Sequence, residues 1–512
     1  MLKFKLSEDQ QWIILTEFEN DIEKKQIELS LTQKIHNHFF HPLVKKKIWN
    51  GDICFVDKRG PFWKIPVGLW KEVLHIGEEY KIEMDIDGLD LIIINDYSLE
   101  YFTEWANNFF IDGINGDPDK MPRDFQIETA WKIIKYRYSI SEIATSSGKT
   151  LISFMVFAFL KSKGLVRKIL MIVPNSNLVF QGKDDFEEYG IDKIGVKIQQ
   201  IGGGSKLKDG CDIIIGTFQS LVKREPDFFA EVDAVFVDEA HFTNCTSIKK
   251  IVSQCMGARW RFGLTGTLTK RGTADYLTIQ QFLGPLIMEI SPNFLFKNNY
   301  ATPVSIKIVV MDWLDPIYKE KLAELKVNDN NIEGTELYNI ERKLVIESKK
   351  RLNFIVDFIN KTSKNSLVLF QSVKEEYGKQ IWNLLREING EREVFYVDGD
   401  TSEPLREEYK KRMATGTNKV LVATYGTFST GISINNLHNI FLVESYKSEI
   451  LIKQSLGRGM RKMEGKEKVN IIDFVDDFST KKYKNYLMKH SADRIAIYNK
   501  ELFEYKIFNV KL

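Results

Sequence analysis

The sequence predicts an α/β protein in which two parallel-sheet units follow one another behind a small α+β N-terminal domain. Three observations carry this. From about residue 121, short apolar runs rich in β-branched residues alternate with longer amphipathic stretches, the rhythm of parallel strands joined by crossover helices. That rhythm breaks over SPNFLFKNNYATP (291–303) and then starts again. Residues 1–100 lack it. The length suits about three domains at roughly 100 to 200 residues each.

In the N-terminal stretch DLIIIND (90–96) reads as a strand, and residues 34–64 form an aromatic, basic segment. Over 101–290, KILMIVP (168–174), CDIIIGT (211–217), AVFVDEA (234–240) and RFGLTGT (261–267) read as buried strands running into polar turns. Over 291–476 the strand candidates are NSLVLFQS (365–372), EVFYVDG (393–399), KVLVATY (419–425), HNIFLVES (438–445) and VNIIDFVD (469–476). DPIYKEKLAELKV (315–327) and NIERKLVIESKKRLNFIVDFINK (339–361) read as helices of an ordered connector. The tail, 477–512, reads as one or two helices and a final strand packed on the second unit.

Composition sets limits. With 43% hydrophobic and 28% charged residues the chain is globular, and a net charge of +2 leaves affinity for a polyanion to local basic patches. Four cysteines without C-x-x-C spacing argue against a zinc site and a disulfide framework. LISFMVFAFL (151–160) is half the roughly 20 residues needed to cross a bilayer. A cytoplasmic location is expected.

EIATSSGKT (142–150) matches the end of the phosphate-loop pattern at Gly148, Lys149 and Thr150, with Ile143 in place of the leading glycine. A strand precedes it and the apolar helix TLISFMVFAFLK follows, the context a phosphate loop requires. Thr145, Ser146, Ser147 and Gly148 would cradle the phosphates of ATP. Lys149 would meet their β and γ oxygens, and Thr150 would supply a Mg²⁺ ligand. In VFVDEAH two carboxylates follow an apolar strand, so they emerge at its carboxyl end, where parallel sheets bind ligands. Asp238 would hold Mg²⁺ through water and Glu239 would polarise the attacking water. In QSLGRGMR (454–461), Arg458 and Arg461 are spaced i and i+3 on one expected helical face, where both could reach the γ-phosphate as it leaves.

Motifs in this order resemble those of superfamily 2 helicases, which implies that both units are RecA-like. The resemblance makes RDFQ an adenine-reading element, with Arg123 stacking and Gln126 pairing. It makes Gly431 part of the nucleotide pocket, and it gives coupling of hydrolysis to movement to His241, Thr265, Gly266, Thr267 and Gln454. It places nucleic-acid contacts in the first unit at Pro174, Asn175, Asn177 and Gln181, at Gly202 and Gly203, and at Thr217 and Gln219. In the second unit it places them at Thr424, Ser429 and Thr430. Many relatives carry Asp where this chain has Ser433.

The segment 34–64 holds seven Lys and Arg against two Asp, interleaved with Phe39, Phe40, Trp49, Phe62 and Trp63. Such a surface neutralises phosphates and stacks bases, with Lys45, Lys46, Lys47 and Trp49 as its candidate contacts. The alternative is that the aromatics form the small domain's core. His36, His38 and His41 lack a carboxylate or thiol to complete a metal set.

The stretch YGTFSTGISINNL (425–437) and the tail KHSADRIAIYNKE narrow the resemblance to UvsW-type recombination helicases of T4-like bacteriophages. That resemblance implies branched DNA as substrate, namely forks, Holliday junctions, D-loops and R-loops, remodelled 3′ to 5′ with ATP and Mg²⁺. An RNA remodeller, a duplex-DNA translocase of a restriction complex and a scaffold with a defunct ATP site remain open alternatives.

Overall fold

The computed structural model describes residues 1–202, 210–313, 334–388, 392–431, 434–445, 449–479 and 485–512, and leaves out the side chains of 334, 335, 429–431, 450 and 451. The chain forms two compact units. One comprises Met1–Ile143 and Gly148–Ile290, the other Ser291–Leu512 with Ala144–Ser147.

The first unit begins with β1 (Leu2–Leu6), β2 (Trp12–Phe18), β3 (Thr32–Lys34), β4 (Asp52–Cys54), β5 (Lys64–Pro66) and β6 (Met84–Asp87). Four of these make a mixed sheet in the order β5-β2-β1-β6, while β3 and β4 pair separately as an antiparallel ribbon. The expected strand at 90–96 is absent. Residues Leu89–Leu91 form a 3-10 turn after Gly88, whose φ of +85° turns the chain, and Ile93 makes only an isolated bridge to Tyr136. An apolar run with no second strand beside it for its whole length does not become a strand.

Seven strands then build an all-parallel sheet: β7 (Tyr138–Ile143), β8 (Ile169–Val173), β9 (Ile198–Ile201), β10 (Ile213–Thr217), β11 (Ala234–Asp238), β12 (Trp260–Thr265) and β13 (Leu286–Ile290). Their order is β13-β7-β12-β11-β8-β10-β9. The apolar stretch 151–160 lies in the helix Lys149–Ser162 and is buried residue for residue. Phe154, Phe157 and Phe159 meet Phe186, Phe236 and Trp105 edge to face, so this helix is a core element.

The small N-terminal domain shares a core with this sheet. Tyr138, Tyr276 and Leu277 belong to the same buried cluster as Leu2, Ile13 and Val73. Tyr138 Oη donates to the Gln10 carbonyl at 3.0 Å, and Gln280 Nε2 donates to Glu72 Oε1 at 2.9 Å. Each apolar side chain buried here contributes roughly 1.5 to 3 kcal/mol.

In the second unit β14 (Val304–Asp312), β15 (Ser366–Phe370), β16 (Val394–Val397), β17 (Val420–Thr424), β18 (Asn439–Leu442), β19 (Val469–Asp477) and β20 (Tyr505–Lys511) form another all-parallel sheet. The order is β16-β17-β15-β18-β19-β14-β20. The helical expectation for 339–361 is met by two helices, Gly334–Glu347 and Lys349–Asn360, divided by the capping Ser348. That for 315–327 lies outside the described residues. Two buried ion pairs tie helices to β19. Arg351 holds both Asp476 oxygens, at 2.7 and 2.8 Å, and Arg494 of the helix Tyr486–Lys500 holds both Asp473 oxygens, at 2.9 and 2.7 Å. Among the described residues no helix is long and apolar enough to cross a membrane.

Candidate functional site

Strand order assembles the first constellation. β7, β12 and β11 are neighbours, so the loop after β7, Thr265 at the end of β12 and Asp238 at the end of β11 leave the sheet side by side. Parallel sheets bind ligands outside these carboxyl ends. After β7 the chain turns through Ser146 at φ +71° and Gly148 at φ +84° before the helix starts at Lys149. Ser147 is buried and its hydroxyl donates to the Ala144 carbonyl at 2.7 Å, so its side chain braces the loop.

Lys149 Nζ donates to Glu239 Oε1 at 3.0 Å. Glu239 itself lies in the left-handed region, φ +55°, and its N–H donates to Asp238 Oδ1 at 3.0 Å. Thr265 Oγ1 stands 3.3 Å from Glu239 Oε2 and 2.9 Å from His241 Nδ1, and it accepts the Thr267 N–H at 3.3 Å. Thr265, Gly266 and Thr267 thus hang directly on the carboxylate through one hydroxyl. Burial by itself would raise the Glu239 carboxyl, but the Lys149 ammonium and the His241 ring outweigh it and hold Glu239 well below the usual carboxylate range. Asp238 is pushed up to about 6, by burial first and by the Glu239 charge second.

Gln126 is buried at the start of the helix Asp124–Lys135, where its Oε1 accepts the Arg123 N–H at 2.8 Å. A Cβ on Gly148 would meet Gln126 Nε2 well inside van der Waals distance, which places the adenine element against the phosphate loop. The arrangement fits a Mg²⁺ nucleotide: a left-handed glycine before a helix N-terminus, a lysine, a hydroxyl at Thr150 and an acid at a strand end. Among the described residues no cluster of three or more His, Cys, Asp or Glu could hold a metal alone. Mg²⁺ held by Thr150 and Asp238 would therefore need phosphate oxygens or water to complete its shell.

The arginine motif corrects an expectation. Its helix runs Glu449–Gly459, with Gln454 buried and Arg458 in the last turn, and Arg461 lies beyond its end. The two arginines therefore do not share a helical face. Lys466 Nζ clamps the end of this helix and the chain just beyond it, donating to the Gly459 and Arg461 carbonyls at 2.5 and 3.1 Å, and ties them to the loop before β18 through the Asn435 carbonyl at 2.9 Å. Thr302 donates its N–H to Met460 O at 2.8 Å and its hydroxyl to Arg461 O at 3.1 Å. Lys466 is buried, and burial first, then Arg461, lowers its ammonium to about 8. Sequence reasoning missed both clamps, because Lys466 sits in the charged run RKMEGKEK, which reads as a solvated loop.

Known proteins match this architecture. Residues 91–270 match the family described as type III restriction enzyme, res subunit, and residues 350–463 match the helicase conserved C-terminal domain. The chain is 28% identical over 490 residues to the ATP-dependent DNA helicase uvsW of Enterobacteria phage T4, covering 92% of this chain and 93% of that protein. The chain is an ATP-dependent helicase of superfamily 2. The resemblance to UvsW-type helicases seen in the motifs holds along nearly the whole helicase. Its fold is also that of a fragment of a putative HsdR subunit of a type I restriction enzyme from Vibrio vulnificus YJ016, with TM-score 0.55, 18% identity, and 76% and 69% of the two chains covered. S. cerevisiae Dbp5 bound to RNA and ADP BeF3 shares it at TM-score 0.51 and 16% identity, over 79% and 93%.

The helicase's nucleic-acid candidates divide by what their side chains already do. In the first unit Gln219 Nε2 reaches the Pro174 carbonyl at 3.4 Å, which joins the loops after the adjacent strands β10 and β8. Asn175 Oδ1 caps the helix Ser176–Glu188 and Thr217 Oγ1 caps Phe218–Leu221, so these two side chains shape their loops. Asn177 is half-buried, Gln181 is exposed and lies 3.4 Å from Asp185, and Gly202 is exposed. Gly203 lies outside the described residues, as does Ser433. In the second unit Thr424 Oγ1 donates to Thr427 Oγ1 at 2.8 Å at the end of β17. Ser429, Thr430 and Gly431 follow in the helix Tyr425–Gly431. In the N-terminal domain Lys45, Lys46 and Lys47 are exposed, whereas Trp49 is half-buried and donates its Nε1–H to the Asp52 carbonyl at 2.9 Å.

Proposed function

We propose that this helicase uses Mg²⁺-ATP to remodel branched DNA in recombination, repair and replication, moving 3′ to 5′. The observation that carries the nucleotide chemistry is the Lys149–Glu239–Thr265–His241 constellation at three neighbouring strand ends. In this reading the phosphates of ATP compete with Glu239 for the Lys149 ammonium. Release frees an ionised carboxylate beside His241 and Thr265 to orient the attacking water. Thr150 and Asp238 would hold Mg²⁺, which would supply charge neutralisation at the phosphates. Arg123 and Gln126 read the adenine, and Arg458 and Arg461, set by Lys466 and Thr302, stabilise charge on the γ-phosphate. Thr265, bonded to both Glu239 and the Gly266–Thr267 turn, links that chemistry to movement of the DNA.

The choice of DNA rests on the relative that matches along almost the full length, which is named a DNA helicase. The basic N-terminal segment supplies a second grip, on a duplex arm, beside the tracking contacts on single strands. ATPase and strand-separation assays across single strands, forks, four-way junctions, RNA–DNA hybrids and single-stranded RNA test the reading. Stimulation by forks and junctions above single strands supports it. Equal stimulation by RNA would replace it with an RNA remodeller, since discrimination then rests on no 2′-hydroxyl contact.

A further inference from the structure

The ribbon β3–β4 has strands of three residues each, yet its connection runs from residue 35 to residue 51. That connection folds into a 3-10 turn, His38–Phe40, and a short helix, Pro42–Lys45. It is braced from within. The Ile35 N–H donates to Gly51 O at 2.9 Å, His41 Nδ1 accepts the Leu43 N–H at 3.3 Å, and the His41 and Trp49 rings meet edge to face at 5.2 Å. Its apolar residues nevertheless point to water: Phe39 is 69% exposed, Phe40 72% and Ile48 70%. Among the described residues none of the three joins a buried core cluster, so the aromatics at the tip are not there to fill the domain's interior. Lys45, Lys46 and Lys47 stand beside them, with Lys45 Nζ 5.7 Å from the centre of the Phe40 ring.

We propose that this ribbon tip is a stacking platform for the unpaired bases at a DNA branch point, with Phe39 and Phe40 taking the bases and Lys45–Lys47 the adjoining phosphates. The inference rests on the reading of the N-terminal segment as a DNA grip and narrows it to the junction itself. Adjacent exposed rings offer flat faces of a size that suits bases, which present such faces only where pairing has opened. A cationic flank matches a polyanion, and the acid that borders the connection, Asp52, accepts from Asn50 Nδ2 at 2.6 Å.

The test uses the full chain and two DNAs of equal length, a fork with unpaired bases at its branch and a dumbbell duplex with closed ends. Affinity is measured with 2-aminopurine placed at the branch. F39A/F40A removes only exposed rings, and its melting temperature should match the wild type. Its preference for fork over dumbbell should fall roughly 10- to 100-fold, and the 2-aminopurine response should disappear. K45A/K46A/K47A should weaken both DNAs alike and lower the salt slope by about 3. An unchanged fork preference in F39A/F40A, with the lysine variant weakened, would overturn the platform and leave the grip. Unchanged binding in the lysine variant would overturn both. Wild-type sedimentation with phosphatidylserine vesicles that F39A/F40A abolishes would overturn the platform in favour of a lipid surface.

Discussion

Replacing Gly148 by alanine tests whether the phosphate loop and the adenine element are one mechanical unit. At φ +84° an L-residue is less stable by roughly 1–2 kcal/mol. The added methyl would also collide with Gln126 Nε2, and the amide can retreat only by releasing the 2.8 Å bond from Arg123 N–H, about 1 kcal/mol more. Together these amount to about 2–3 kcal/mol, or roughly 30- to 150-fold in affinity for a nucleotide that needs the loop in this shape. Calorimetric titration of a non-hydrolysable ATP analogue into wild type, G148A, Q126A and the double variant gives the coupling. Because the collision needs both side chains, the double should be tighter than the sum of the singles by about 1 kcal/mol. Additivity within about 0.3 kcal/mol would refute the reasoning, since it would mean that the glutamine does not pack on the loop.

Glu239→Gln should cut the turnover rate by roughly 10²- to 10⁴-fold while nucleotide binding persists, read by single-turnover hydrolysis beside titration. Arg351→Met should strand the Asp476 carboxylate, whose partner lies in a fully buried pair, and destabilise the second unit by about 3–5 kcal/mol in urea unfolding. Lys466 titrates near 8 in the folded chain and at its ordinary 10.5 when unfolded, so between these values the unfolded chain binds more protons and stability rises with pH. The wild-type stability relative to K466M should therefore climb by up to about 1.4 kcal/mol per pH unit from 8 to 10, and a flat difference would contradict the buried charge.

What the sequence revealed was governed by burial on two faces. β8, β10, β11, β15 and β17 are apolar along most of their length and almost wholly buried because helices cover both sides of a parallel sheet, and each was legible as a short apolar run. β9 and β13 lie at the margins of their sheet, carry polar or exposed residues, and escaped notice, whereas β20, exposed along most of its length, was expected as the final strand of the tail. In the site, Lys149, Asp238 and Glu239 were proposed from chemistry local to a strand end and Thr265 from the motif resemblance, and the strand order brings the four together. Lys466 and Thr302 could not, since each meets the arginine segment only through tertiary contact. Arg461 was misplaced because the glycines at 457 and 459 give no warning of where a helix stops when side chains from elsewhere cap it.

The way the C-terminal tail is built into the second sheet bears on how that half can be studied alone. β20 lies alongside β14, the Leu512 N–H donates to the Asp312 carbonyl at 3.0 Å, and Arg494 neutralises Asp473 from beyond position 476. Ending an expressed fragment at 476 would amputate that arginine, strand an acid in the interior and lay bare a strand margin prone to pairing with other molecules. Fragments intended to isolate the arginine-bearing half should run through Leu512, with any fused tag spaced away from it.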